Sequence, residues 1–204
     1  LNENLKEKIF AIRSNLLFAK YQPDGIISIA QTAQNADKLS VQVQNHQSLS
    51  IEIYAQNYPN LAVLLSALAH LDLGFMEIFE LFDGKFYVKL EFNKNVKSSE
   101  LETLKNLIEI SLKSGASAQI NRPIILKGEL NFDANHSQEY AKLGINAKDQ
   151  RGLMAYVLGV FKEFDVKIAN ARIQTVKNRT RNLLLIEKRE GVDLGEILKL
   201  LESE

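Results

Sequence analysis

Two stretches of this chain repeat one another. "IYAQNYPNLAVLL" from Ile53 and "INAKDQRGLMAYV" from Ile145 carry apolar and turn residues in the same order, and "LDLGF" from Leu71 matches "FDVKI" from Phe164 once one inserted residue is allowed. Such self-similarity marks duplication of one supersecondary unit, which restricts the fold more than any single helix or strand assignment. The 204 residues suffice for two compact units of roughly 70–100 residues each, with chain to spare.

The first copy opens with Leu49, Ile51, Ile53 and Ala55 alternating with Ser50, Glu52 and Tyr54, the pattern of a strand with one buried face. Asn57-Tyr58-Pro59-Asn60 breaks the chain, and Leu61, Leu64, Leu65, Leu68 and Leu71 then take helical spacing. Leu73 to Leu81 and Lys85 to Phe92 predict a hairpin around Asp83-Gly84, a dipeptide suited to a reversal at positive φ. A serine at 98 or 99 caps the next helix, with the stripe Leu101, Leu104, Ile108 and Leu112, and Ile124 to Leu130 predicts a last strand. The order is βαββαβ. The second copy gives strand Tyr140 to Ala147, a helix stripe Leu153, Tyr156, Val157, Val160, Phe161 and Phe164, a hairpin Asp165 to Val176 with Arg181 to Lys188, and a closing helix at Leu194, Ile197, Leu198 and Leu201. The apolar run Leu183 to Ile186 predicts a strand buried on both faces. Ahead of both copies, Leu5, Ile9, Ile12 and Leu16 predict one amphipathic helix ending at the turn Gln22-Pro23-Asp24-Gly25, with short strands at Ile26 to Ala30 and Leu39 to Val43. The expected division is a lead-in at 1–47, a first unit at 48–135 and a second at 136–204. The class is α+β with antiparallel sheets.

Composition excludes more than it proposes. Twenty-five basic residues balance 25 acidic ones, so no global field draws the chain to nucleic acid or to an acidic membrane. Cysteine is absent, which removes disulfides and thiol chemistry. No apolar run approaches the ~18 residues of a spanning helix. The chain begins at Leu1 without a signal-peptide pattern, and the expectation is a segment of a longer protein.

Strand, D-x-x-G turn, apolar helix and then "FDVKIANARIQT" resembles an ACT domain, the small ferredoxin-like βαββαβ module that commonly senses amino acids. "FDANHSQEYAKLGINAKDQRGLMAYVLGVFKEFDVKIANARIQTVKNRTRNLLLIEK" is similar in particular to the last ACT repeat of bifunctional PII uridylyltransferase/uridylyl-removing enzymes, where a strand ending in Phe-Asp, a polar linker and a D-R-P-G-L turn follow in that order. The tandem arrangement fits the C-terminal part of that family. The resemblance implies a cytoplasmic regulatory region in nitrogen control that binds an amino acid, glutamine above all. It also implies partners: catalytic domains upstream that use magnesium, a PII-type signalling protein as their target, and a homodimer formed through ACT sheets. No cofactor is implied for this segment itself. The turn departs from the family pattern: Arg151 stands where Pro is usual, and the first copy has Asn57 for Asp and Asn60 for Gly.

An amino acid needs helix N-terminal N–H groups or a cation for its carboxylate, and carboxylate, amide or carbonyl oxygens for its ammonium. Asp149, Gln150, Arg151, Gly152 and Leu153 offer both, and Asn57, Tyr58 and Asn60 are the corresponding loop of the first copy. The resemblance adds Asn170 and Glu77, on the second strands of the two copies, as residues reaching across an interface between repeats. A structural role is the competing reading, with Asp149 capping the helix and Gly152 only allowing the turn.

No catalytic constellation accompanies these residues. There is no Asp-x-Asp pair for a nucleotidyltransferase metal site and no His-Asp dipeptide, and His46, His70 and His136 stand alone. P-loop, nucleophile-elbow and dinucleotide fingerprints are missing. Two other classes remain in view. A dimerisation scaffold that senses nothing would use the same sheets. An RNA-recognition module would need aromatics on the central strands of the basic second copy, where Ala169, Ala171, Ile173, Leu183 and Leu185 stand instead, so nucleic acid is the more distant of the two.

Overall fold

The computed structural model describes residues 1–115 and 119–203. Three helices lead in: α1 (Glu3–Phe10), α2 (Asn15–Lys20) and α3 (Pro23–Asn35). Asn2 caps α1 by accepting from the Leu5 N–H at 2.8 Å, and the stripe expected to make one helix from Leu5 to Leu16 breaks after Phe10. The strand expected at Ile26 to Ala30 is helical instead. Pro23 sits in the first turn of α3, where its missing N–H costs nothing, and Ile26, Ile29, Ala30 and Ala33 form one buried stripe.

Each half then runs strand, strand, helix, strand, strand, helix. The first contains β1 (Leu39–Asn45), β2 (Leu49–Gln56), α4 (Leu61–Ala67), β3 (Leu73–Glu80), β4 (Lys85–Phe92) and α5 (Leu101–Ser114). The second contains β5 (Leu130–Asp133), β6 (Tyr140–Lys148), α6 (Leu153–Glu163), β7 (Ile168–Val176), β8 (Arg179–Glu187) and α7 (Leu194–Lys199). Together the strands form one eight-stranded antiparallel sheet, ordered β1-β2-β4-β3-β7-β8-β6-β5. Read outward from the centre the two halves are mirror lists, so the duplication seen in the sequence reappears as topology.

The α+β class and the antiparallel pairing hold, while the expected βαββαβ order shifts by one strand. Of the strand expected at Ile124 to Leu130, residues 124–129 form none and only Leu130 belongs to β5, and the edge position beside β2 is taken by β1. The expected division after residue 47 falls between β1 and β2, and the one after 135 between β5 and β6, each pair being joined by ladder hydrogen bonds. The halves meet where β3 pairs with β7, at Phe75 with Arg172, Met76 with Ala171 and Glu77 with Asn170.

One face of the sheet carries α4 to α7 over a continuous core that includes Ile51, Ile53, Met76, Leu143, Phe161 and Leu184. The other face is covered in the first half only, where Leu5, Leu17 and Ile26 of the lead-in meet Tyr54, Phe79 and Tyr87. Among the described residues no helix covers that face of the second half. Leu183 is accordingly 43% exposed and Leu185 half-buried, so β8 is buried on one face and not on both as expected.

Candidate functional site

The β6–α6 turn is built on a left-handed glycine. Gly152 has φ 80°, and a Cβ there would stand 2.9 Å from Ile120 Cγ2, so both conformation and space require glycine. Asp149 is held by its backbone, whose N–H donates to the Asn178 carbonyl at 2.8 Å. Gln150 is committed to structure. Its Oε1 accepts from the Ile124 N–H at 2.7 Å, and its Nε2 donates to the Ile124 and Lys148 carbonyls at 2.8 and 3.2 Å.

No side chain caps α6, so the capping role considered for Asp149 is not the one it plays. The Leu153 N–H reaches the Gln150 carbonyl at 3.2 Å, and the Tyr156 N–H closes the first helical bond to Gly152. Between them, among the described residues, the N–H groups of Met154 and Ala155 have neither a capping side chain nor a carbonyl partner. Both residues line a cavity of about 640 Å³. Residues 149–155 form one side of it, residues 68–73 at the exit of α4 another, and Ile173, Thr175, Thr180 and Asn182 the sheet floor. Exposed Arg151, Lys94, Asp72, Asp149 and His70 stand around it, so both charge signs are within reach of a small zwitterion.

The floor is unusual for a core-facing surface. Asn182 is 1% and Thr180 3% exposed; the Thr180 hydroxyl donates to Asn182 Oδ1 at 2.6 Å, and Asn182 Nδ2 has no partner. Neither residue, nor Lys94, nor the α4 exit was anticipated from sequence. The available signal was "RTRNLLLIE", in which Thr180, Asn182, Leu184 and Ile186 share a face and the first two are polar.

The corresponding loop of the first half is closed by its own side chains. Asn60 caps α4, its Oδ1 accepting from the Val63 N–H at 3.3 Å. The left-handed residue is Asn57, φ 69°, whereas Asn60 has φ −77°, so the positive φ expected at the glycine-equivalent position is absent. Tyr58 turns inward: its hydroxyl accepts from the Ile168 N–H at 3.1 Å and its ring meets Phe86 edge-on at 5.5 Å, with Lys167 Nζ 5.4 Å from its centre. Burial pushes that phenol well above its ordinary pKa. A smaller space of about 490 Å³ remains outside it, between this loop and the exit of α6.

Glu77 and Asn170 pair with each other across the seam between the halves, and Glu77 lies on the opposite face of the sheet from the cavity, away from the loop that the resemblance led one to expect it to reach. Glu77 is 4% exposed beneath the lead-in helices, where Lys20 Nζ lies 2.6 Å and the Tyr21 hydroxyl 3.0 Å from its carboxylate. Burial first and the Glu77 charge second raise the Tyr21 phenol far above its usual range, so it remains a donor. Among the described residues no cluster of three His, Cys, Asp or Glu is placed to hold a metal ion, and no helix is long and apolar enough to cross a membrane. Set against models of known protein families and against curated protein sequences, the chain matches none.

Proposed function

We propose that this chain is a regulatory region of tandem ACT-like repeats that binds a free amino acid, glutamine foremost, at the start of α6. It reports occupancy to an upstream, magnesium-dependent nucleotidyltransferase of the PII uridylyltransferase kind. The observation that carries the reading is an uncapped helix start opening onto a polar-floored cavity. A helix N-terminus attracts a carboxylate through its free N–H groups and its dipole. Asp149 and Asp72 at the cavity's edge supply partners for an ammonium. The volume lies within the ~300–1,000 Å³ usual for small-molecule sites.

The cavity wall comes from both halves, so a ligand that draws residues 149–155 toward 68–73 favours one arrangement of the halves over another. Leu73, on that wall, begins β3, and Glu77 on the same strand holds Lys20 and Tyr21 of the lead-in. This gives occupancy a contiguous route toward the N-terminus.

Thermal-shift titration against the common amino acids at millimolar concentration tests the reading. Only a binder of the native state raises Tm, by about 2.7 kcal/mol of added stability at a hundredfold excess over Kd. A rise with glutamine that Asp149→Ala diminishes is the expected result. An unchanged Tm with every amino acid would instead favour a scaffold that joins domains and senses nothing.

A further inference from the structure

We propose that the chain carries one ligand site, not two, and that Asn182 is its specificity-determining residue, selecting a ligand whose buried end presents a hydrogen-bond-accepting oxygen. The ligand class rests on the amino-acid reading above; the asymmetry rests on register. In the first half Ile53 pairs with Val88 and Ala55 with Phe86, and in the second Ile145 pairs with Asn182 and Ala147 with Thr180. Ile53 and Ile145, and likewise Ala55 and Ala147, are corresponding positions of the duplicated sequence. Val88 and Phe86 therefore stand where the second half has Asn182 and Thr180.

That exchange decides which half is open. Phe86, with Tyr58 set edge-on against it, fills the first half from inside, and Asn60 takes up the helix start that α6 leaves free. In the second half Gln150, the counterpart of Tyr58, turns away to Ile124, and two small polar residues line the space. Thr180 occupies Asn182 Oδ1, and Asn182, which lines the cavity, keeps a buried Nδ2 with no acceptor. A buried donor left unmade is costly, and such groups are few in native cores. Among the described residues, the buried and helix-start donors of the wall left without a partner are thus the Met154 and Ala155 N–H groups and Asn182 Nδ2, and a complementary ligand brings acceptors at two points. Amino acids with a side-chain carboxamide or carboxylate meet that demand; aliphatic ones do not.

Isothermal titration of the chain with glutamine and with norvaline, which has the same carbon chain without the terminal oxygen and nitrogen, tests the proposal. The expected result is one equivalent of glutamine per chain and a preference over norvaline of at least about tenfold, because a site built to bond a polar group rejects the analogue lacking it. In Asn182→Val, which copies the first half, the preference falls to about twofold or less. The double variant Thr180→Val/Asn182→Val, free of ligand, melts about 2–4 °C above the parent, since it deletes the unmade bond and its neighbour together. Two equivalents per chain, an undiminished preference in Asn182→Val, or a double variant that melts lower overturns the proposal while leaving amino-acid sensing intact. Failure of both amino acids to bind the parent chain sinks the sensing reading, and the ligand class named here with it.

Discussion

A half-buried carboxylate without a close partner shows how single residues set the pH response of this protein. Glu187 is half-buried at the end of β8, where removal from water raises its carboxyl pKa, Lys167 lowers it and Glu80 raises it again, for a net rise. A carboxyl whose folded pKa exceeds its unfolded one binds its proton more tightly in the native state. Its favourable contribution is complete below the unfolded pKa and is lost as pH rises through the folded one. At neutral pH the charged Glu187 therefore costs stability. Replacing it by Gln removes that cost, and for a group partly screened by solvent the gain is about 1–2 °C in Tm. Melting curves of parent and Glu187→Gln between pH 3 and 8 check this. The difference should be positive at pH 7 and vanish toward pH 4; a parent more stable at pH 7 would show that Lys167 outweighs burial. Nothing in the sequence exposed this residue, because its environment depends on the far ends of β3 and β7. Gly152, by contrast, was legible: a glycine between a strand and an apolar helix announces the left-handed turn it makes.

At the scale of elements, the periodic segments were readable and the aperiodic ones were not. The β2, β3, β4, β6 and β8 strands and the α4, α5 and α6 helices follow apolar spacing directly. The lead-in misled because Pro23-Asp24-Gly25 has the composition of a turn, although Pro also opens helices and the buried stripe of α3 continues about two turns beyond it. The strand expected at Ile124 to Leu130 misled for the opposite reason. Its isoleucines and leucine suit a strand, yet Ile124 finds its partners in the Gln150 side chain and Ile125 in Ser203. Gln150 thus acts as a one-residue stand-in for a neighbouring strand. In Gln150→Ala the Ile124 N–H loses its bond, worth about 1 kcal/mol, so its hydrogen exchange should accelerate about fivefold or more while the amides of β6 keep their protection. Unchanged exchange at Ile124 would mean that neighbouring contacts, and not the amide pair, hold this segment against the α6 start. The candidate site was half legible on the same terms. The loop lay in one quoted stretch, but its floor needed the pairing of Ile145 with Asn182, which no local pattern supplies.

The whole molecule is bound together by a sheet that runs through both halves and a core that does not stop at the seam. Met76 and Ala171, paired across β3 and β7, are both fully buried, and α4 lies against α6 above them. A duplicated sequence suggests two independently folding units, whereas a shared core requires that damage to one half weaken the other. Val157, fully buried in α6, offers a mild test. Val157→Ala removes two methylene-sized groups, costing about 2 kcal/mol and lowering Tm by about 4–8 °C for a chain of this length. Four of the six tyrosines, Tyr21, Tyr54, Tyr58 and Tyr87, belong to the lead-in or the first half and only Tyr140 and Tyr156 to the second, so near-ultraviolet circular dichroism is weighted toward the half that does not carry the substitution. If the halves unfold as one, the tyrosine signal and the far-ultraviolet signal shift together by the same amount and remain coincident. If they are separate units, the far-ultraviolet curve divides into two steps and most of the tyrosine transition, which comes from the lead-in and first half, stays at the parent temperature. Coincidence is the expected outcome. It is also what the proposed regulation requires, since a ligand bound between the halves would act on the lead-in only if the two respond as a single cooperative body.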